Sequence, residues 1–150
     1  KMKGIYMYTK AVQKCESYRK AGYACSESVA RTLEDLYQLN YPVEVHKAMS
    51  VFAGGAIDDG RCGVLEAGLL TIAVLYDQKM FEESISLEEI SLEMHNAFEK
   101  IYGGYQCRDI FYPLYDAHKR SGEKEEGFHC AFHDGLVIAV KIIEAHKKGK

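Results

Sequence analysis

Residues 64–76 have the sequence VLEAGLLTIAVLY, in which Glu66 is the only charged residue. A helix that is apolar on nearly every side is typical of the centre of a helical bundle. The longest apolar stretch here, residues 69–76, is far too short to cross a bilayer as a helix. We therefore predict an all-α fold built around this segment.

Helical spacing of apolar residues also occurs on the N-terminal side of this segment. It predicts an amphipathic helix over residues 8–18 that ends near Gly22, and a second helix over residues 25–37. Pro42 suits the first turn of a third helix. Residues 53–63, AGGAIDDGRCG, contain four glycines and two aspartates and therefore predict a loop with positive φ angles.

The C-terminal side is predicted to be helical as well. Ser86 and Glu89 have the spacing of a capping box, which opens the next helix. A short helix is expected to begin at Cys107 and to stop before Pro113, because proline interrupts helical hydrogen bonding.

The remaining segments complete the predicted bundle. Residues 118–127, HKRSGEKEEG, predict a charged loop, and the last helix is expected from about Cys130 to Lys147. No β-hairpin pattern stands out. We therefore expect one domain over residues 1–150, folded as an all-α bundle of about six helices with short loops.

Composition and charge narrow the classes of function. Of the 150 residues, 47% are hydrophobic and 27% are charged, as in a soluble globular protein. The net charge of −3 gives no electrostatic argument for nucleic acid or an anionic membrane as a partner. The first residues, KMKGIYMYTK, lack the apolar segment of a secretory leader, which favours the cytoplasm. Cysteines there are more often metal ligands or catalytic groups than members of disulfides.

Four of the five cysteines follow a glycine by two or three residues, and each is predicted to open a helix: Cys25, Cys62, Cys107 and Cys130. Unpaired N–H groups and about half a positive charge at a helix start stabilise a thiolate. Arg61 and Arg108 each lie next to one of these cysteines, and their positive charge is expected to lower the thiol pKa further. We therefore predict lowered thiol pKa values, together with redox reactivity or metal binding.

Three interpretations of the four cysteines stay open. They are far apart in sequence and contain no Cys-x-x-Cys motif, so only folding could bring them together. Four thiolates around one point would suit zinc or an iron–sulfur cluster. Two pairs, Cys25–Cys62 and Cys107–Cys130, would instead form reversible disulfides. Alternatively, all four are separate buried thiols, because free cysteine packs as a small apolar residue.

The residues around Cys62 are further candidates. Gly60, Arg61, Gly63 and Glu66 are predicted to contribute to cofactor binding. Glu66 lies one turn after Cys62, and we interpret it either as a buried general base or as the exposed edge of its helix.

Other polar residues have competing interpretations. His129 and His133 flank Cys130 and suggest a metal site, with helix capping or solvent exposure as the simpler alternative for each histidine. Asp58 and Asp59 suit either turn geometry or catalytic carboxylates. Cys15 has no glycine before it and lies on the apolar stripe of the first helix, so core packing is expected there.

These segments resemble a family of small bacterial and archaeal redox-active proteins named for four cysteines and a CGAxxG motif (C_GCAxxG_C_C). The resemblance lies in GYACSESV, FAGGAIDDGRCGVLEAGLLTIAVLYD, YGGYQCRDI and HCAFHDGLVIAV. It implies that the family's cysteines are Cys25, Cys62, Cys107 and Cys130, with Cys15 outside the pattern. It also implies a redox function, without a substrate.

One departure from the family motif follows Cys62. Val64 and Ala67 stand where CGAxxG has its alanine and second glycine, and Gly68 comes one place later. If the small residues of the motif permit close helix packing or the approach of a ligand, that role is altered in this chain.

Three functions follow from these expectations. The first is a metal or iron–sulfur centre at the four cysteines, which serves electron transfer or sensing with a redox partner protein or a small molecule. The second is a thiol–disulfide oxidoreductase. The third is a binding or scaffold protein whose helix starts hold an anionic ligand. A homodimer is compatible with the apolar helices, whereas nucleic acid and membranes are not expected partners.

Overall fold

The computed structural model describes residues 2–149. Seven α-helices lie in this range: α1 Met2–Lys20, α2 Cys25–Tyr37, α3 Val43–Val51, α4 Gly63–Asp77, α5 Leu87–Tyr102, α6 Cys107–Ser121 and α7 Asp134–His146. Two shorter helical turns, Gly55–Asp59 and Glu125–Gly127, lie between them. The predicted all-α fold is confirmed, with slightly more helices than the six expected.

Helix α4 lies at the centre of the bundle, as its apolar sequence predicts. It packs against α2, α5 and α7, and both sides of the helix are buried, including Val64, Leu65, Ile72 and Leu75. Gly68 allows α5 to approach closely, since a β-carbon there would lie 2.5 Å from Met94 Cε. The glycine displaced by one place from the motif therefore has a packing role of its own.

The start of α5 forms the predicted capping box. The Ser86 hydroxyl accepts a hydrogen bond from the N–H of Glu89 at 3.1 Å, and the Glu89 carboxylate accepts one from the N–H of Ser86 at 2.8 Å. Two backbone N–H groups at the helix start are thereby satisfied, which stabilises the start of α5 at the position predicted from the sequence.

Helix α6 differs from its prediction, because it does not stop before Pro113 but continues to Ser121. Proline removes one backbone donor inside the helix. The rings of Phe111 and Tyr115 stack on either side of the proline, with centroids 5.5 Å apart, and Phe128 packs on both rings. These contacts stabilise the continued helix, so the charged loop begins later than residue 118.

Helix α7 begins at Asp134 and not at Cys130 as expected. Residues 131–133 form a turn instead. Ala131 and Phe132 are buried in that turn, and their packing holds the chain against the core in a non-helical path. Cys130 therefore lies one turn before the helix.

The glycine-rich loop between α3 and α4 has positive φ angles, as predicted for Gly54 and Gly55. The same conformation extends to Ala56, with φ 58°, and to Ile57, with φ 70°. A β-branched residue is strained in this region of backbone space. The Ile57 side chain is 85% exposed, so little packing compensates for the strain.

No α-helix within residues 2–149 combines the length and the apolar character needed to span a lipid bilayer.

Candidate functional site

The starts of α2 and α4 lie side by side and carry the first two candidate cysteines. Cys25 is the first residue of α2, and Cys62 is the N-cap of α4. Gly63 makes this approach possible, since a β-carbon there would lie only 2.7 Å from Ser26 Cβ. The Ser26 hydroxyl donates a hydrogen bond to the carbonyl of Met49 at 2.6 Å, which fixes the start of α2 against α3.

A short antiparallel pairing brings the segment before α6 to the segment before α4. The N–H of Cys62 donates to the carbonyl of Tyr105 at 2.9 Å, and the N–H of Cys107 donates to the carbonyl of Gly60 at 2.5 Å. Because side chains alternate along extended backbone, Cys62 and Cys107 lie on the same side of this pairing.

Cys130 reaches the same region from the turn before α7. Gly135 brings the start of α7 close to α4 and α5, since a β-carbon there would lie 2.8 Å from both Val64 Cγ1 and Phe98 Cζ. The turn that carries Cys130 is thereby held near the N-terminal end of α4.

The four thiols are close enough to interact electrostatically, and Cys25 takes part in each case. Burial, with smaller contributions from Cys25 and Cys130, raises the pKa of Cys62 to about 12. Burial also raises the pKa of Cys130 to about 11, with added contributions from Cys25 and Cys107. For Cys107, burial and then Cys25 raise the pKa. Cys25 thus lies within electrostatic reach of the other three candidate thiols, and of Cys15 in the core as well.

The predicted lowering of the thiol pKa is wrong for Cys62, Cys107 and Cys130. The N–H groups of Leu65 and Val64 do lower the pKa of Cys62, but the loss of hydration on burial outweighs them. An isolated thiolate is unfavourable at such a site, and neighbouring thiolates would also repel one another. The positive charge of a bound metal would compensate for both effects.

The spacing of the sulfurs bears on the kind of metal centre. All five cysteines are free thiols. Within residues 2–149, no three cysteine sulfurs lie within 4.8 Å of one another. Four thiolates bound at about 2.3 Å around one zinc ion would be about 4 Å apart. The described residues therefore do not form a ready-made tetrahedral zinc site of cysteine sulfurs.

The residues predicted to bind a cofactor around Cys62 have other partners. The Arg61 guanidinium donates through Nε to the Glu66 carboxylate, and its Nη2 lies 2.8 Å from His95 Nε2. Glu66 is half-buried at the edge of α4 rather than enclosed. Gly60 contributes its carbonyl to the pairing with Cys107. Cofactor binding by Gly60, Arg61, Gly63 and Glu66 stays a prediction.

Asp59 anchors the glycine-rich loop to α6. Its carbonyl accepts a hydrogen bond from Arg108 Nε at 3.2 Å, and its carboxylate accepts one from the Tyr112 hydroxyl at 3.3 Å. Its φ of 53° is left-handed, which favours the turn interpretation over the catalytic one. Asp58 is exposed in the same loop.

Cys15 is fully buried in the core, as its place on the stripe of α1 predicts. Burial raises its pKa to about 12. Its thiol packs inside the bundle and has the surroundings of a core residue.

Tyr102 was not predicted as part of this site. Its hydroxyl is buried and donates no hydrogen bond within the described part of the chain, although the N–H of Gly135 lowers its pKa slightly. Burial raises its pKa, and Asp134, Cys62 and Cys130 act in the same direction. A buried hydroxyl beside two thiols is a free donor for a group bound there. Only its position at the end of α5, close to the Gly-Cys turn that follows, could have drawn attention to it.

Comparison with known proteins gives one match. The model of a family described as "Putative redox-active protein (C_GCAxxG_C_C)" matches residues 23–139. The matched range contains the four clustered cysteines and leaves out Cys15. No curated protein and no solved structure matches the chain.

Proposed function

This chain belongs to the C_GCAxxG_C_C family of redox-active proteins, and on that premise we propose that its four clustered cysteines hold an iron–sulfur or other metal centre. The centre would serve electron transfer or sensing in the cytoplasm, with a redox partner protein or a small molecule as the reaction partner. The cysteines concerned are Cys25, Cys62, Cys107 and Cys130.

One observation supports the proposal: Cys25 interacts electrostatically with Cys62, Cys107 and Cys130, and Cys130 interacts with both Cys62 and Cys107. Cys62 is only 4% exposed, and its pKa is raised to about 12 by burial and by the neighbouring thiols. A set of free thiols in such surroundings would stay protonated and unreactive. Soft thiolate ligands are instead suited to iron–sulfur clusters and zinc, and a bound cation deprotonates them.

The chain would contribute more than the four ligands. An iron–sulfur cluster supplies one-electron transfer when it is bound. The N–H groups of Val64 and Leu65 lower the pKa of Cys62 and would stabilise negative charge on its sulfur. The hydroxyl of Tyr102 is free to donate to a sulfur, a type of contact that tunes cluster potentials. The partial burial of the site would limit access of water and oxygen.

Anaerobic purification followed by iron and acid-labile sulfide analysis tests the proposal. We expect both elements in the wild-type protein, and their loss when Cys62 or Cys130 is replaced by serine. Cys15→Ser is the matched control, because this buried thiol lies outside the family pattern and should leave the iron content unchanged. A protein that contains neither iron nor another bound metal, before and after reconstitution, would contradict the proposal.

A second function, thiol–disulfide exchange, is favoured by a specific observation. Electrostatic interactions link Cys62 with Cys25 and Cys130 with Cys107, although Cys130 also interacts with Cys62 and with Cys25. In each pair, two thiols would lose two protons and two electrons to an oxidised dithiol partner and form one S–S bond. Mass spectrometry after alkylation at a series of redox potentials distinguishes the two functions. A metal-free protein with a reversible two-electron couple would establish exchange.

The binding or scaffold function makes a different prediction. Replacement of all four cysteines by serine would then leave the affinity for an anionic ligand nearly unchanged, because backbone N–H groups at the helix starts would bind it.

A further inference from the structure

We propose that Glu16, His129 and His133 form a second metal site, which binds a divalent transition-metal ion. Each of the three residues offers one ligand atom, and these atoms all lie within 4.8 Å of one another. Glu16 comes from α1, whereas the two histidines come from the segment that leads into α7. The site is therefore assembled from the two ends of the chain.

The two histidines are arranged as a pair. Their rings are stacked with centroids 4.0 Å apart and an interplanar angle of 21°. The turn over residues 131–133 brings the two rings together. Parallel imidazoles on one turn present their ring nitrogens in similar directions.

One ring nitrogen is buried without a hydrogen bond. His133 Nε2 lies 3.0 Å from Glu16 Oε1. Burial lowers the pKa of His133 and the Glu16 carboxylate acts against this effect, but among residues 2–149 this contact does not have the geometry of a full hydrogen bond. A buried imidazole nitrogen without a partner is unfavourable. Coordination of a metal ion by its lone pair, with the carboxylate as a neighbouring ligand, would satisfy it.

The donor set identifies the class of ion. Two imidazoles and one carboxylate with open positions bind zinc or iron(II) and related divalent ions in proteins. Bonds of about 2.0–2.2 Å place neighbouring ligand atoms about 3 Å apart, a separation that His133 and Glu16 already have. Calcium and magnesium prefer oxygen ligands and would bind poorly.

The surroundings leave room for a further ligand on the ion. Glu16 and His129 line an open cavity of about 430 Å³, together with Phe128 and Phe132. The nearby Arg19 guanidinium donates to the carbonyl of Tyr23 at 2.5 Å, so it is held by another partner. Two of the three proposed ligands therefore border this cavity, whose lining also includes Lys20 and Glu126. Zinc sites with three protein ligands often keep a fourth position open for water or substrate.

This site is distinct from the four-cysteine centre. Cys130 lies between the histidines in sequence, yet its sulfur does not belong to the group of mutually close ligand atoms. The two proposals can therefore fail separately.

Zinc titration calorimetry tests the second site in a full-length variant in which the four clustered cysteines are serine. We expect one zinc ion per chain, and at least about a 10-fold loss of affinity in Glu16→Gln or His133→Ala added to that background. His146→Ala is the matched control, because its Nε2 lies 2.6 Å from Glu93 in a histidine–carboxylate pair elsewhere. Equal zinc affinity in all variants, or an equal loss in the control, would overturn the inference.

If the variant with four serines does not fold, absorption spectroscopy of the cobalt-loaded protein with its native cysteines tests the site instead. The difference spectrum between wild type and Glu16→Gln should contain d–d bands without a sulfur-to-cobalt charge-transfer band, since no thiolate belongs to this site. A charge-transfer band in that difference, or no difference at all, would contradict the assignment.

Discussion

Gly63→Ala is expected to weaken both the fold and the four-cysteine centre. The added β-carbon would lie 2.5 Å from the carbonyl oxygen of Phe52 and 2.7 Å from Ser26 Cβ. Favourable contacts between such atoms require about 3.5–4.0 Å, so the starts of α2 and α4 would have to separate by roughly 1 Å. The obstructing oxygen belongs to the backbone and cannot rotate away.

The size of the effect follows from two opposing contributions. Overpacking in a well-packed core costs about 1–3 kcal/mol. Alanine in place of glycine recovers up to about 1 kcal/mol through the reduced entropy of the unfolded chain. We therefore expect Gly63→Ala to lower the free energy of unfolding by about 1–2 kcal/mol and to reduce metal or iron content, because it separates Cys25 from Cys62.

Urea unfolding followed by circular dichroism measures the change, with two other glycines as controls. A β-carbon at Gly127 would meet nothing nearer than 3.8 Å, so Gly127→Ala should stay within about 0.5 kcal/mol of wild type. Gly68→Ala should fall between the two, because the obstructing atom is the flexible end of Met94. The packing argument fails if Gly63→Ala unfolds at the same urea concentration as Gly127→Ala.

Three further predictions concern single side chains. The pKa of Cys62 is raised by burial from 9.0 to about 12, so the metal-free protein should lose stability as pH rises from 9 towards 12, when the unfolded thiol ionises first. We expect the decrease in the free energy of unfolding with pH, measured by urea unfolding at each pH, to be smaller in Cys62→Ala by up to about 1.4 kcal/mol per pH unit. Tyr102→Phe should leave the free energy of unfolding unchanged or slightly higher, because the hydroxyl is buried and donates no hydrogen bond. In voltammetry the same variant should lower the reduction potential of a bound cluster, and an unchanged potential would exclude a hydrogen bond from Tyr102 to the centre. Ile57→Gly should raise the melting temperature by up to a few degrees, because removing the strain of φ 70°, about 1–2 kcal/mol, outweighs the roughly 0.5–1 kcal/mol of extra entropy in the unfolded chain. A fall of several degrees would show that Ile57 has a stabilising contact.

Much of the fold could be predicted from the sequence, because local signals decide it. The apolar run of α4 requires burial on both sides, and the pairing of Ser86 with Glu89 marks the start of α5. The errors arose where tertiary packing overrides local preference. Ring stacking carries α6 through Pro113, and the burial of Phe132 keeps the turn before α7 from becoming helical.

The four cysteines could be singled out from the sequence, but the effect of their surroundings on the thiol pKa values could not. Glycine turns single out the four cysteines, and the helix-start argument correctly identifies N–H groups that lower the pKa of Cys62. Sequence gives no measure of burial, and burial is the larger effect on that pKa. Likewise, the proximity of Glu16 to His133 joins the first helix to the last, and no local pattern encodes that contact.

Helix α6 is only weakly attached to the bundle, which affects how a four-cysteine centre would open. Ile110 is its one fully buried residue within the described chain, and the helix is held mainly by the glycine-rich loop and the backbone pairing at Cys107. Helices with so few apolar contacts detach at lower free energy than the bundle they rest on. Amide hydrogens of α6 should therefore exchange with deuterium before those of α4. If a metal centre is bound, Cys107 would be its ligand on this weakly attached helix, where a cofactor could enter or leave.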